Sequence, residues 1–458
     1  LLILYNAGGV RTIKDQIHLF YSRRFLPLFI TQFFGGFNDN ACKNALLIWV
    51  TYDIAQQLPY SADKIVALAA GVFILPFLLF STTAGQLADK YQKSWLTIKI
   101  KQLEIILMIC YSVSFFLKDV SLLLVILFLM GTQSTFFGPI KYSLLPEHLQ
   151  RDELIGGNGL IEGGTFLAIL LGTIFGGLIV RAPYGVALLS GFVLLFAIVG
   201  WRSSCYIPDA KINDQSLKVG FNIFKETYKV ISYSRRNILV WLTIIGISWF
   251  WLIGAIFLTQ LPIYTKKVLY ADEYIVTLLL TVFSVGIGIG SVWCNKLLRG
   301  NINADLVPYG AIGISAAIIS LVIASYFYMS GVNANVVTIS GELIGIKQFL
   351  TNSVISWLIL LSLFLMAIFG GIYTVPLYAI MQYRASKRYL SRIIAANNIM
   401  NAVFMVAASV ISIVMLSINL NVIQIFLIVG ILNIIVYFYI RSIVIRRAKH
   451  RLRQEARK

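Results

Sequence analysis

Apolar residues in this chain fall in blocks of roughly 20, parted by short polar stretches rich in Lys and Arg. A block of about that length, wound as an α-helix, spans the ~30 Å hydrocarbon core of a bilayer. Backbone polar groups in lipid must be satisfied within their own segment, so the blocks are expected to be helices. A membrane β-barrel would show short alternating segments instead. The pattern predicts twelve spans, near residues 25–51, 64–87, 95–117, 120–142, 155–180, 184–204, 238–263, 273–297, 305–329, 354–381, 391–417 and 420–440. The expected organisation is an N-terminal segment 1–24, a six-helix bundle 25–204, a linker 205–237, a second six-helix bundle 238–440 and a basic tail 441–458.

Composition supports this picture. Of the 458 residues 59% are hydrophobic and 12% charged, against about 25% charged in soluble domains. The net charge of +19 would by itself suggest a nucleic-acid partner. Here it lies between apolar blocks, so it reads as membrane orientation and no nucleic acid is expected. Of the 38 Lys and Arg, 31 belong to the N-terminus, the even-numbered loops and the C-terminus, and 6 to the odd-numbered loops. The positive-inside rule then places both termini and the 205–237 linker in the cytoplasm. No signal peptide is expected, because the first long apolar block begins only after Arg23-Arg24.

Cys42, Cys110, Cys205 and Cys294 form no CxxC and no Cys/His cluster, so neither a metal nor a cofactor is expected. Three histidines, no paired catalytic constellation and no phosphate-binding glycine loop argue against an enzyme. In the linker, Phe221, Phe224, Tyr228 and Ile231 recur at helical spacing beside Lys218, Lys225 and Lys229, which predicts an interfacial helix. The basic run from Arg446 to Lys458 reads as a topology anchor, with anionic lipid headgroups as the alternative partner.

The two halves resemble each other. Pro139, expected to end the fourth span, has a counterpart in Pro376 of the tenth. The segment from Gly157 to Glu162 resembles that from Ala396 to Asn401, so Asn158 matches Asn397 and Glu162 matches Asn401.

Polar residues deep in the spans are the functional candidates. Asp39 lies about 21 Å along the first helix at 1.5 Å per residue, past the bilayer midpoint. A charge there is costly and marks function by default. Lys43 is one turn on, so an i,i+4 ion pair is available. Asn38, Asn40 and Asn44 flank the two charges. With Glu104, Gln133, Glu162, Asn397 and Asn401 they suggest a polar centre between the halves. Each alone has the plainer reading of a helix–helix hydrogen bond.

Between the second and third spans runs Gly85-Gln86-Leu87-Ala88-Asp89-Lys90-Tyr91-Gln92-Lys93. It resembles the cytoplasmic G-x-L-a-D-[RK]-x-G-x-[RK] signature of the major facilitator superfamily, with Gln92 in place of the second glycine. Gly85 permits close helix approach, and Asp89 is suited to cap a helix N-terminus or to pair with a cation. Gly85, Asp89 and Lys90 are the expected cytoplasmic gate. The resemblance implies an all-α membrane fold of two pseudo-symmetric six-helix bundles.

The run around Asn38-Asp39-Asn40, the segment Phe137-Gly138-Pro139-Ile140-Lys141-Tyr142, the segment Leu144 to Leu149, and Asn158 with Glu162 resemble the bacterial lysophospholipid transporter family. The likeness runs from about residue 25 to 180 and returns near Pro376 and from Ser391 to Asn401. It implies an inner-membrane protein that moves lysophospholipid, chiefly lysophosphatidylethanolamine, toward the cytoplasmic leaflet by alternating access. A cytoplasmic acyltransferase would act as partner, and a monomer is expected. By the same resemblance Asp39 and Lys141 are the charged pair, the acid for an ammonium and the cation for a phosphate. Two alternatives stand beside it: a proton-coupled carrier of a small solute or drug, and a docking partner of a lipid acyltransferase.

Overall fold

The computed structural model describes residues 16–52, 54, 62–332 and 343–455. A 3-10 helix, Gln16–Tyr21, leads into α1 (Leu26–Tyr52), α2 (Ala62–Lys90), α3 (Lys93–Phe116), α4 (Val120–His148), α5 (Leu154–Ile179) and α6 (Gly185–Ser204). After an irregular stretch comes α7 (Ile223–Arg236). Then follow α8 (Ile238–Lys267), α9 (Glu273–Leu298), α10 (Val307–Val332), a short α11 (Ile346–Asn352), α12 (Val354–Arg384), α13 (Leu390–Ser417) and α14 (Val422–Glu455). Twelve of these helices form the membrane bundle; α7 and α11 are the extra, shorter ones.

Nine of the twelve are long and apolar enough to cross a membrane by length and composition. The exceptions are informative. Helices α1 and α3 carry Asp39 with Lys43 and Lys101 with Glu104 in their middles. The apolar part of α14 is the shorter stretch Val422–Phe438. Polar residues in the middle of a span must be met by neighbouring helices, and Lys101 and Glu104 of α3 are buried there.

Packing follows one scheme twice. Helix α1 lies against α5 and α6, α2 against α4, and α3 against α4 and α6. In the second half α8 lies against α13 and α14, α9 against α12, and α10 against α12 and α14. The halves meet along two seams, α5 on α9 and α2 on α13, which exchange under the same pseudo-two-fold relation. Glycines make the first seam close. A Cβ at Gly163 would stand 3.3 Å from Gly288 Cα, and one at Gly156 would stand 3.3 Å from Asn295 Nδ2.

Some boundaries differ from the sequence expectation. Pro139 does not end the fourth span: α4 runs through Pro139 and Pro146 to His148. Proline is tolerated inside a membrane helix when surrounding helices compensate, and α2, α3 and α13 all pack against α4. Lys141 therefore sits about two turns inside its helix and not at the end. Helix α14 continues to Glu455, because no Gly or Pro interrupts the basic run and Lys and Arg are good helix formers. The basic residues from Arg446 onward, expected to be an anchor, lie outside the residues whose side chains are described. So does the N-terminal segment before Gln16.

The ends carrying the α2–α3, α4–α5 and α6–α8 connections face one way; this is called the linker side below, and the other the far side. Far-side turns are capped locally. Asp119 accepts from Leu122 N at 3.0 Å, and Asp272 from Tyr274 N at 3.1 Å and Ile275 N at 3.2 Å.

Candidate functional site

Three groups of polar residues occupy the interior. The first joins α1, α3 and α4. Glu104 accepts from Lys101 Nζ at 2.5 Å, from Asn38 Nδ2 at 3.3 Å and from Gln133 Nε2 at 3.1 Å. Both charged partners are nearly inaccessible, with side-chain exposures of 1% for Lys101 and 3% for Glu104. Lys101 also lies over the Phe137 ring, 5.0 Å from its centre. The Lys101 ammonium occupies the space where a Cβ at Gly35 would be, so that glycine makes room for it. Lys101 was not among the candidates. The signal for it in the sequence is its i,i+3 spacing to Glu104.

Asp39 and Lys43 come next, and here the expectation is corrected. They do not form an ion pair. Asp39 accepts a short hydrogen bond from Ser134 of α4, and Lys43 Nζ donates to Asn40 Oδ1 at 3.2 Å and lies 5.4 Å from the centre of the Phe73 ring. Asn40 Nδ2 in turn donates to Gly36 O at 2.8 Å, and Asn44 Nδ2 to Thr173 O at 2.7 Å. The side chains at 39 and 43 share a helix face but are drawn to different neighbours. Both stay partly exposed.

The third group centres on Lys141 and Glu162. The principal acid facing Lys141 is Glu162 of α5, ahead of the more distant Asp39. Lys141 Nζ reaches Thr165 Oγ1 at 3.5 Å, and Thr165 Oγ1 donates to Gln32 Oε1 at 3.0 Å. Two buried polar atoms beside this group have no hydrogen-bond partner in the protein, Gln32 Nε2 and Glu162 Oε2. The other Glu162 oxygen accepts from Tyr142, whose ring stacks on Tyr378 of α12 at 4.6 Å. The Tyr378 hydroxyl accepts from Trp251 Nε1 at 3.4 Å, and Asn397 lies beside it. Asn401 accepts from Ser248 Oγ at 2.8 Å. Asn158 and Gln382 exchange two amide bonds, 2.7 and 3.0 Å, across the halves.

The linker side carries a lock. Asp89 is fully buried. Its carboxylate accepts from Ser391 N at 3.0 Å and Arg392 N at 3.3 Å, which caps α13. It also accepts from Arg392 Nε at 2.8 Å and from Asn213 Nδ2 at 3.0 Å. Both options open for Asp89, cap and ion pair, are thus taken at once. A Cβ at Gly85 would stand 2.9 Å from Ser391 O and 3.0 Å from Arg392 Cα, so glycine permits the approach of α2 to α13. Lys90 is not in this network; it lies over its neighbour Tyr91, 5.6 Å from the ring centre. Asp214 was missed. It accepts from Arg388 Nε and Nη2 at 3.1 and 3.2 Å and from Arg392 Nη2 at 3.2 Å. These bonds, Arg388 first, hold its carboxyl below the usual carboxylate range despite partial desolvation. Nothing in the sequence marks Asp214, since it lies in an irregular segment far from its partners.

A second contact between the halves lies beside the α5–α9 seam: Gln16 Nε2 donates to Val292 O of α9 at 3.0 Å. Within the first half, His18 and Arg24 hold Glu153 at 3.0 and 3.1 Å. Burial pushes the Glu153 carboxyl up, but hydrogen bonds from Arg24, Gln150 N and His18 outweigh it and bring it down to about 2.

The family model described as Major Facilitator Superfamily matches residues 28–355. The chain belongs to the major facilitator superfamily. Among curated proteins it is similar to the lysophospholipid transporter LplT of Photorhabdus laumondii, 25% identical over 371 residues, covering 79% of this chain and 80% of that protein. It is equally similar to LplT of Escherichia coli O1:K1 / APEC, 25% identical over 385 residues, covering 82% and 85%. Among solved structures it shares the fold of the major facilitator transporter FucP in the outward conformation, with a TM-score of 0.65 at 12% identity over 92% of this chain and 99% of that one. A bacterial homologue of the iron transporter ferroportin in the outward-facing state gives 0.61 at 13% identity over 91% and 99%. Membership of this superfamily and the LplT relatives make the chain a multi-pass membrane protein of the transporter class.

Proposed function

We propose that this protein carries lysophospholipid, with lysophosphatidylethanolamine as the leading substrate, to the leaflet on its linker side by alternating access. The excess of Lys and Arg on that side supports a cytoplasmic assignment for it, in a bacterial inner membrane. The observation that carries the reading is the group around Lys141. A partly exposed ammonium sits beside a buried amide donor, Gln32 Nε2, and a buried carboxylate oxygen, Glu162 Oε2, neither of which has a partner. Buried polar atoms without partners are costly, and a zwitterionic headgroup supplies both what they lack. Its phosphate takes the Lys141 ammonium and the Gln32 amide, and its ammonium takes Glu162 or Asp39. The similarity to LplT proteins supports the same substrate class.

Alternating access then follows from the two halves. With the linker side locked at Asp89–Arg392 and at the α5–α9 seam, substrate enters from the far side. Breaking those contacts opens the linker side. The test is uptake of radiolabelled lysophosphatidylethanolamine into proteoliposomes. Lys141→Ala and Asp39→Asn are each expected to cut uptake at least about tenfold, the equivalent of 1.4 kcal/mol. Uptake unchanged by both would overturn the substrate site.

A second reading, a proton-coupled carrier, is favoured by one feature. Asp39 is a carboxylate in mid-span whose hydrogen bond comes from a hydroxyl, Ser134, and not from a cation. Solute uptake that collapses with the proton gradient, without any lysophospholipid transport, would select it.

A further inference from the structure

We infer that Tyr142 is a positioning residue that holds Lys141 and Glu162 apart, so that both charges stay open to a headgroup and do not neutralise each other. That a headgroup meets these groups rests on the function proposed above; the spacing itself does not. Glu162 is the principal acid facing Lys141. Opposite charges inside a span attract strongly and would be expected to close on each other. Yet neither Glu162 oxygen accepts from the Lys141 ammonium. Oε1 accepts from the Tyr142 hydroxyl, and Oε2 has no partner.

Tyr142 acts on both charges at once. Its hydroxyl occupies Glu162, and its ring holds the base, with Lys141 Nζ 4.7 Å from the ring centre. A cation at that distance over a tyrosine face is attracted to it. The hydrogen bond from Lys141 Nζ to Thr165 Oγ1 is a long 3.5 Å. The ammonium is thus held without being spent. The ring is fixed from the other half. It stacks on Tyr378 of α12, 4.6 Å between centres and 5° between planes. The Tyr378 hydroxyl accepts from Trp251 Nε1 of α8 at 3.4 Å. Tyr142 and Glu162 are both buried, so little water screens the carboxylate.

The hydroxyl is what makes tyrosine necessary. Phenylalanine would keep the stack and the ring beside Lys141 but leave Glu162 with two empty oxygens. Lys141, the cation that acts on them, would then take them. The site would be filled by its own ion pair. The arrangement also ties the site to the state of the bundle. Tyr378 belongs to the second half, so parting α4 from α12 withdraws the support of the Tyr142 ring. Lys141 and Glu162 can then close on each other and displace the headgroup as the linker side opens.

The test reads spacing and transport separately, in the full chain. The vesicles are phosphatidylcholine with one quarter phosphatidylglycerol, which bring no primary amine. Trace acetylation by acetic anhydride is followed at Lys141 and, as an internal reference, at the partly exposed Lys43. An amine bound in an ion pair acylates slowly, because its partner favours the charged form. Tyr142→Phe is expected to slow Lys141 against Lys43 at least about fivefold, and Tyr142→Phe with Glu162→Gln to restore it. An unchanged rate in the single variant overturns the spacer. So does a double variant as slow as the single, which would mark general disruption. Tyr378→Leu is expected to slow Lys141 in the same sense, and no change there overturns the link to the second half. In the second arm, Tyr142→Phe is expected to raise the lysophosphatidylethanolamine density at half-maximal uptake at least about tenfold. Parent uptake that Tyr142→Phe leaves unchanged overturns the proposal. A parent that takes up no lysophosphatidylethanolamine while the labelling behaves as expected overturns the substrate reading alone and leaves the spacer standing.

Discussion

The two halves share one packing scheme and differ in what they enclose. The interior of the first half holds Asp39, Lys43, Lys101, Glu104, Lys141 and Glu162. Outside the basic run of α14 that begins at Arg441, the Asp, Glu, Lys and Arg of the second half's described helices lie at or near a helix end, as Glu273, Lys296, Arg384 and Arg392 do. The middle of that half is lined by Trp251, Phe250, Phe283, Tyr378 and the amides of Asn397 and Asn401. A repeated fold therefore does not imply a repeated site. Helix packing needs only small and apolar residues at the contacts, and it leaves the interior free to diverge. One half is equipped to hold charge, and the other offers an apolar wall with a few amides, the division an amphiphile would require.

The largest expected effect tests the charged half. Removing one partner of a buried ion pair leaves the other uncompensated, so Lys101→Ala should cost about 3–5 kcal/mol. Lys101→Met with Glu104→Gln should recover most of that in equilibrium unfolding. A double variant no better than the single would show that the pair does more than neutralise itself. Next comes the boundary between the halves. Asp89→Asn gives up a charge-assisted bond and should cost about 1.5–3 kcal/mol of the locked state, read as faster labelling of Ser291→Cys, buried at the α5–α9 seam, by an impermeant maleimide. The apolar half should respond least to loss of its polar groups. Asn401→Ala, which removes a bond to Ser248, should cost about 0.6 kcal/mol, the usual scale for such bonds between membrane helices. A loss as large as that of Lys101→Ala would erase the contrast.

The last expected effect is a pH dependence. The Glu153 carboxyl is held at about 2 in the folded protein, below the ordinary glutamate value of about 4.3. A depressed carboxyl contributes stability that is fully present above its unfolded value and is lost as pH falls toward the folded one. The melting-temperature gap between the parent and Glu153→Gln should hold from pH 8 to about pH 5, narrow as pH falls further, and close only as pH approaches about 2. A gap that varies between pH 8 and 6 would point to another group.

Much of the candidate site was legible because charge in an apolar span stands out without any structure. Asp39, Glu104 and Glu162 are visible in this way, whereas Lys141, expected at the end of its span, is marked only by the family resemblance. Their partners were not. The helix face that carries Asp39 and Lys43 suggested a pair, yet Ser134 and Asn40 compete successfully for them. Lys101 was passed over because its value lies in filling the space left by Gly35 on another helix. Asp214 and Gln382 carry no local signal, since their roles exist only across separations of 174 and 224 residues.

The sequence alone determined the number of spans, their helical form, the repeat and the side on which basic residues gather. These follow from the cost of unsatisfied backbone in lipid and from local composition, which act residue by residue. Tertiary structure decided which acid meets which base, that Asp89 is cap and ion-pair partner at once, and that the linker returns to the gate. Those outcomes depend on which side chains compete for one buried atom. That competition is settled by distances between helices that no local pattern encodes.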